Sequence, residues 1–165
     1  MQMLKKLRLP TLSDEERKLA SVVTIAVTIT MVCSLFNRIL IPATHSVYPK
    51  LLFRTGEPAT KQNEYVTFIR KDDYLPGGSA HLVKRIGCMP GQYLSKLGHQ
   101  FFCDGDEIAR AMLTDSDGVK LPVFTFSGPV PAGKAFVVGD TINSYDSRYW
   151  GFISLSETER LIPVI

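Results

Sequence analysis

The 165-residue chain has few of the residues from which metal and cofactor sites are usually built. It holds three cysteines, three histidines and one tryptophan, and it contains no C-x-x-C pair, no internal repeat and no phosphate-cradling glycine loop. The histidines stand far apart, at positions 45, 81 and 99. We therefore expect neither a bound metal nor another cofactor.

A strong charge of one sign is also absent. The chain has 19 Lys and Arg against 16 Asp and Glu, a net charge of +3. Residues 1–36 hold five basic and three acidic residues, so +2 lies there and +1 remains for residues 37–165. A nucleic-acid surface needs Lys and Arg clustered on one face. We expect no nucleic acid among the partners.

One long run without charge extends from Leu19 to Phe36. Its length, at about 1.5 Å per helical residue, spans roughly 27 Å, close to the hydrocarbon thickness of a bilayer. The sequence predicts a cytoplasmic tail at 1–18, a transmembrane helix at 19–36 and one domain at 37–165. A buried helix and a cleavable signal peptide are the alternatives, although the run is long for a signal peptide and no A-x-A site follows.

The flanking residues of this run predict its start and its orientation. Ser13 and Glu16 have the spacing of a capping box, so a helix is expected to begin there and continue into the span. Five Lys and Arg precede the run, and only Arg38, Lys50 and Arg54 follow it closely. This bias favours a cytoplasmic N-terminus in the inner membrane and a periplasmic domain, if the host is Gram-negative.

The pattern after residue 45 favours short strands. Alternating, β-branched segments predict strands at 64–70, 80–86, 100–103, 119–126 and 134–138, separated by Pro- and Gly-rich turns. Asp104-Gly105 predicts a hairpin, and residues 154–161 fit either a short helix or a strand. The domain is therefore expected to be mainly β.

The three cysteines differ in their expected roles. Cys33 lies within the apolar run and is expected to pack there. Cys88 and Cys103 both lie in the domain, and in an oxidising compartment such a pair predicts a disulfide that stabilises by about 3 kcal/mol. Two independent buried thiols are the alternative.

Three segments contain groups suited to nucleophilic chemistry. Residues 43–49 read ATHSVYP around Ser46, residues 82–91 read LVKRIGCMPG around Lys84, and residues 139–151 read GDTINSYDSRYWG. A serine needs a base, and a lysine can be that base when its amine is neutral. Free lysine has a pKa near 10.4, and burial among apolar neighbours lowers it.

These segments, in this order after one apolar run, resemble the signal peptidase I family of Ser/Lys serine proteases. Residues 144–151 fit the family's S-x-D-S-R-x-W-G pattern. Thr44 and Val47 stand where the family usually has Ser and Met, and one residue fewer separates Arg85 from Gly87. These departures and the short chain are similar to the small TraF-type branch, which processes pilins in plasmid conjugation.

The resemblance implies an antiparallel-sheet domain and a role for each of four side chains. Ser46 would be the nucleophile and Lys84 the general base. Ser144 would hydrogen-bond the Lys84 amine, and Thr44 with the Ser46 N–H would form the oxyanion hole. The alternative for Thr44 is a hydroxyl that caps a turn.

Two charged residues complete the candidate site, and the histidine next to Ser46 is not part of it. Asp146 and Arg148 are two apart, so we expect them on one face of a strand, as a structural pair that supports Ser144. His45 adjoins Ser46 and would point away from it in an extended chain, which disfavours a Ser-His-Asp triad.

The sequence thus predicts a membrane-anchored serine endopeptidase that cleaves leader or pro-segments from exported proteins. The expected partners are the lipid bilayer, a signal peptide or pilin precursor, and other pilus or secretion components. One alternative is a pilin-cyclising transpeptidase that uses the same acyl-enzyme. The other is a non-catalytic component of a secretion or pilus assembly.

Overall fold

The computed structural model describes residues 13–165, so most of the predicted tail at 1–18 lies outside the described residues. The chain divides into two compact units, one ending at Asn37 and one running from Arg38 to Ile165.

The first unit contains one helix, α1 (Asp14–Phe36). The predicted capping box is confirmed, since Glu16 N donates to Ser13 Oγ and Ser13 N donates to a Glu16 carboxylate oxygen at 2.8 Å. Hydroxyls of Ser21, Thr24, Thr28 and Thr30 donate to carbonyls one turn earlier. This pairing satisfies the polar groups of a helix that is long and apolar enough to cross a membrane.

The second unit is built from two antiparallel sheets. Its strands are β1 (Ile39–Leu40), β2 (Leu52–Arg54), β3 (Tyr65–Lys71), β4 (Ser79–Cys88), β5 (Tyr93–Leu97), β6 (Gln100–Cys103), β7 (Asp106–Arg110), β8 (Gly128–Pro129), β9 (Lys134–Val138), β10 (Ile153–Ser154) and β11 (Glu159–Pro163). The larger sheet has the order β1-β2-β11-β3-β4-β9-β10, and the smaller has β7-β6-β5-β8. The predicted mainly β, antiparallel fold is confirmed.

Most of the expected strands are present. The predicted segments 64–70, 80–86, 100–103 and 134–138 correspond to β3, β4, β6 and β9, and the Asp-Gly hairpin joins β6 to β7. Residues 154–161 form a 3-10 turn (Leu155–Glu157) and most of β11.

The strand predicted at 119–126 is wrong. Apart from an isolated bridge between Thr114 and Lys120, residues 119–126 form no ladder. Their apolar character has another cause, because the Phe124 and Phe126 rings pack edge-on against Phe152, at 5.4 and 4.9 Å between centroids.

A buried cluster joins the two sheets. Its members come from both of them and from the loops around them, namely Cys88, Leu94, Phe101, Cys103, Ala111, Val130, Phe136, Val138 and Tyr149. A disulfide links Cys88, at the end of β4, to Cys103, at the end of β6. The ring of Phe101 on β6 packs on the ring of Phe136 on β9, with 5.1 Å between their centroids. The sheets are therefore held by a covalent bond as well as by packing.

The larger sheet positions three segments near one another. Lys84 lies in the middle of β4, opposite Val66 of β3. The chain leaving β9 forms the loop 139–146 and then a short helix, α2 (Ser147–Trp150). The loop that contains Ser46 connects β1 to β2 at the edge of the same sheet.

Candidate active site

The Ser46 loop is attached to the chain just beyond β9. The Asp140 backbone N–H donates to the Ser46 carbonyl at 2.8 Å, and the Tyr48 N–H donates to the Asp140 carboxylate at 3.0 Å. Val47 between them is buried. The Ser46 side chain is partly exposed, and its Oγ lies 3.1 Å from Thr44 Oγ1. The loop backbone is thus fixed while the hydroxyl stays accessible.

Lys84 is buried, with 3% of its surface exposed. Its Nζ donates to Ser144 Oγ at 2.7 Å. Burial lowers the pKa of the Lys84 amine to about 8; the Asp146 carboxylate opposes the shift, and the Arg148 guanidinium adds to it. The amine therefore loses its proton far more readily than an exposed lysine does.

Arg85, the next residue, lies on the other face of β4. Its guanidinium donates to Asp140 Oδ1 at 2.9 Å and to the Asn63 side chain. The alternation of a strand thus points the two neighbouring basic side chains to opposite faces of β4.

Ser144 is held by its own loop and by a glycine. It is buried, and its N–H donates to the Thr141 carbonyl at 3.2 Å. A Cβ at Gly139 would collide with the Ser144 side chain and come within 2.7 Å of the Ser46 carbonyl oxygen. Gly139 therefore lets Ser144 and the Ser46 loop approach the same stretch of backbone.

Asp146 and Arg148 form a buried ion pair, but not on a strand. Asp146 is the N-cap of α2 and accepts from the Arg148 N–H at 3.1 Å, so the expectation of a shared strand face is wrong. The capping geometry turns the chain into a helix at this point. The guanidinium still reaches Asp146 at 2.6 Å, and it donates to the Ser144 carbonyl at 2.8 Å.

The Arg148 guanidinium also ties together the loops around the site. It donates to the carbonyls of Arg110, Thr141 and Ile142. Asp146 accepts from the Gly139 N–H at 2.7 Å. The pair thus fixes the backbone on both sides of Ser144.

Asp140 is a site residue that the sequence reasoning did not single out. Its carboxylate accepts from the Tyr48 N–H, the Arg85 guanidinium and, at 2.8 Å, the Tyr65 hydroxyl. Burial and this carboxylate raise the pKa of Tyr65. Asp140 therefore connects the Ser46 loop to strands β3 and β4. Its place in the third motif, directly after Gly139, was the available signal.

Four of the predicted residues, Thr44, Ser46, Lys84 and Ser144, line one open cleft, whereas Asp146 and Arg148 lie behind Ser144 and do not line it. A cavity of about 490 Å³ is lined by Thr44, His45, Ser46, Leu75, Leu82, Lys84, Asn143, Ser144 and Tyr145. A second cavity, of about 440 Å³, continues from Ser46 along the apolar residues 40–43. Within residues 13–165, no group of three or more His, Cys, Asp and Glu side chains is arranged to hold a metal. A serine, a buried amine and a second hydroxyl in one cleft are suited to acyl transfer.

Among known proteins, this chain is similar to signal peptidases and to conjugal transfer proteins. Residues 16–159 match the family described as Signal peptidase, peptidase S26. Conjugal transfer protein TraF of Agrobacterium fabrum is 35% identical over 78 residues, which cover 46% of this chain and 43% of that protein. Signal peptidase I V of Bacillus subtilis is 32% identical over 102 residues, or 54% and 61% of the two chains.

The chain spans about half the length of the curated relatives that it matches. A crystal structure of a signal peptidase I from Enterococcus faecalis aligns with 63% of this chain and 97% of its own, at 21% identity and a TM-score of 0.41. The family match covers most of the chain. The chain belongs to the signal peptidase, peptidase S26 family.

Proposed function

We propose that this S26 peptidase is a membrane-anchored serine endopeptidase in which Ser46 and Lys84 form the catalytic dyad. The observation that supports this most is the buried Lys84 amine, with its lowered pKa, in the same cleft as the Ser46 hydroxyl. An amine that donates one hydrogen to Ser144 has a fixed direction. When neutral, it keeps a lone pair with which to accept a proton.

The proposed reaction begins when neutral Lys84 takes the proton of Ser46 Oγ. The oxygen attacks the scissile carbonyl carbon, and the Thr44 hydroxyl and the Ser46 N–H donate to the resulting oxyanion. Thr44 Oγ1 lies 3.1 Å from Ser46 Oγ, so it needs only to turn toward the oxyanion. The Lys84 ammonium then gives its proton to the leaving amine. An acyl-enzyme remains on Ser46, and a water activated by Lys84 releases it.

The proposed substrates are exported proteins that carry a leader or pro-segment, and pilin precursors are the first candidates. The likeness to proteins named conjugal transfer protein TraF supports a place in a conjugation system, alongside other pilus or secretion components. We place residues 19–36 in the inner membrane, residues 1–18 in the cytoplasm and the catalytic domain, 37–165, in the periplasm. A disulfide between Cys88 and Cys103 is consistent with that oxidising compartment.

The test is co-expression of the full chain with a candidate pilin precursor, followed by the intact mass of the pilin. Ser46→Ala and Lys84→Ala are expected to abolish processing, because each removes one partner of the proton transfer. The matched controls are Ser95→Ala and Lys96→Ala on β5, outside the cleft. Both should process the pilin normally.

The mass also separates the alternatives. Hydrolysis gives the linear pilin, whereas attack on the acyl-enzyme by the pilin's own amine gives a cyclic product lighter by one water. If Ser46→Ala and Lys84→Ala both process the pilin at normal expression levels, the dyad is wrong. A non-catalytic role in the assembly then becomes the better account.

A further inference from the structure

The cleft continues beyond Ser144, away from the apolar cavity at residues 40–43. There it shares Asn143 and Tyr145 with a third cavity of about 270 Å³. We call this third cavity the tyrosine cavity, because Tyr74, Tyr145 and Tyr149 line it, together with Met112, Asp115 and Leu121. Ser46 therefore lies between two extensions of the cleft.

The proton path indicates which part of a substrate lies on the tyrosine side. After attack, the proton held by Lys84 must reach the nitrogen of the leaving segment. The Lys84 amine points at Ser144, and the residues next to Ser144 in sequence are Asn143 and Tyr145. A leaving segment that passes Ser144 would next meet the tyrosine cavity, because Asn143 and Tyr145 line both cavities.

The tyrosine cavity offers aromatic faces beside one fixed negative charge. The Tyr74 and Tyr145 centroids lie 4.6 Å apart, and those of Tyr145 and Tyr149 lie 5.7 Å apart. Among the described residues that line the cavity, Asp115 alone carries a full charge. One of its oxygens accepts from the Tyr74 hydroxyl at 2.7 Å, and the other accepts from the N–H groups of Asp117 and Val119 at 2.9 Å.

These bonds hold the Asp115 carboxylate in place without neutralising it. The hydrogen bond from Tyr74 lowers the pKa of the Asp115 carboxyl, so the group is an anion at neutral pH. Two arginines close to the tyrosine rings pair with other carboxylates. Arg148, against the Tyr149 ring, pairs with Asp146, and Arg70 pairs with Asp72, which also accepts from the Tyr145 hydroxyl. The cavity thus has an unmatched negative charge beside aromatic faces.

We propose that the tyrosine cavity binds a lysine or arginine side chain from the first few residues after the scissile bond. The methylene stem lies against the tyrosine rings, and the cation lies beside Asp115. This inference rests on the proposed peptidase function and adds a preference on the leaving side of the substrate. Both interactions are partly exposed, so together we expect about a three- to tenfold effect on kcat/KM.

The test uses the full chain in detergent micelles with synthetic peptides that have alanines before the scissile bond. The peptides differ at one of the first four positions after that bond, where they carry Lys, Met or Glu. Met matches the length of the lysine stem without its charge. Enzymes to compare are the wild type, Asp115→Asn and Asp117→Asn, a control in the same turn that does not line the cavity.

At one of the four varied positions, the wild type should cleave the Lys peptide about three to ten times faster than the Met peptide. It should cleave the Glu peptide more slowly than either. Asp115→Asn should erase the preference for Lys, so that this variant cleaves the Lys and Met peptides at similar rates. Asp117→Asn should behave as the wild type. High salt should weaken the preference as well, because it screens exposed charges.

Two results would overturn the inference. If the wild type cleaves every peptide but treats Lys, Met and Glu alike at all four positions, the tyrosine cavity does not select the leaving segment and the peptidase proposal stands. The same holds if Asp115→Asn and Asp117→Asn change the preference equally. If no peptide is cleaved in a Ser46-dependent way, the proposed function fails and the inference fails with it.

Discussion

At the scale of single residues, the burial of Lys84 bears directly on its proposed role as the general base. Burial lowers the pKa of its amine from 10.5 to about 8, so about one molecule in ten has a neutral amine at pH 7. Because the base must be neutral, kcat/KM should rise with pH and level off above an apparent pKa of about 8. Initial rates on a peptide substrate across this range would show it. A rate that is flat or falls as pH rises toward 8 would exclude Lys84 as the base.

The burial of the Lys84 amine also lowers the free energy of unfolding, and the direction of this effect with pH can be tested. Since the folded pKa lies below the unfolded one, the unfolded state binds more protons between about pH 8 and 10.5, and the free energy of unfolding rises with pH there. The cost is fully present below pH 8. Lys84→Met removes the charge and should raise the free energy of unfolding at pH 7 by about 2 kcal/mol.

Urea unfolding in micelles at pH 7 and near pH 10.5 would measure this gain, which should shrink at the higher pH. Lys96→Met on β5 is the control and should change the free energy of unfolding by less than about 0.5 kcal/mol. A destabilised Lys84→Met protein at pH 7 would mean that the hydrogen bond to Ser144 outweighs the burial cost.

The backbone at Gly139 leaves no room for a side chain. A Cβ there meets the Ser144 side chain and the Ser46 carbonyl, so Gly139→Ala must displace at least one of them. A shift of about 1 Å costs roughly a hundredfold in rate, and we expect a loss of this size in kcat/KM. Gly133→Ala is the control: its φ of +72° makes alanine unfavourable, but its Cβ meets no neighbour within 4 Å. It should lower stability by about 1–2 kcal/mol and leave kcat/KM unchanged.

Local motifs could identify some of these residues and not others. Ser46, Lys84 and Ser144 stand in segments that the sequence itself displays. The role of Asp140 could not be read in this way, because its partners Tyr48, Tyr65 and Arg85 lie 92, 75 and 55 positions away. A carboxylate that joins distant segments is visible only once the sheet has brought them together.

At the scale of elements, the short helix α2 fixes the loop that supplies Ser144. Asp146→Asn leaves the buried Arg148 guanidinium without its carboxylate, which should cost about 3–5 kcal/mol in the free energy of unfolding. Glu57→Gln breaks an ion pair with Arg160 in which the glutamate is exposed, and should cost less than about 1 kcal/mol. Thermal unfolding of both variants would test the difference. Equal losses would contradict a structural role for the Asp146–Arg148 pair.

Elements were predictable from the sequence where side-chain alternation coincides with strand pairing. In β3 and β4 the segments with the predicted strand pattern do pair, and seven residue pairs face one another across that ladder. Residues 119–126 have strand-like composition but pack by their aromatic rings, and the Phe124 N–H donates to the Arg148 carbonyl instead of a neighbouring strand. Composition reports that such side chains become buried, and it does not specify which backbone groups pair.

At the scale of the whole molecule, we expect the apolar helix to be retained as a membrane anchor. The charge-free run, Leu19–Phe36, follows the acidic first turn of α1, and its hydroxyls bond to the helix backbone. A retained anchor means that an N-terminal epitope tag stays on the full-length chain and that the chain resists alkaline extraction from membranes. Val27→Arg combined with Met31→Arg should release it, because each central arginine costs about 3 kcal/mol on insertion. Val27→Leu with Met31→Leu is the matched control and should stay in the membrane. Protease added to spheroplasts should digest the domain and spare the tag if the N-terminus is cytoplasmic. Loss of the tag from the wild type would instead identify the run as a cleaved signal peptide.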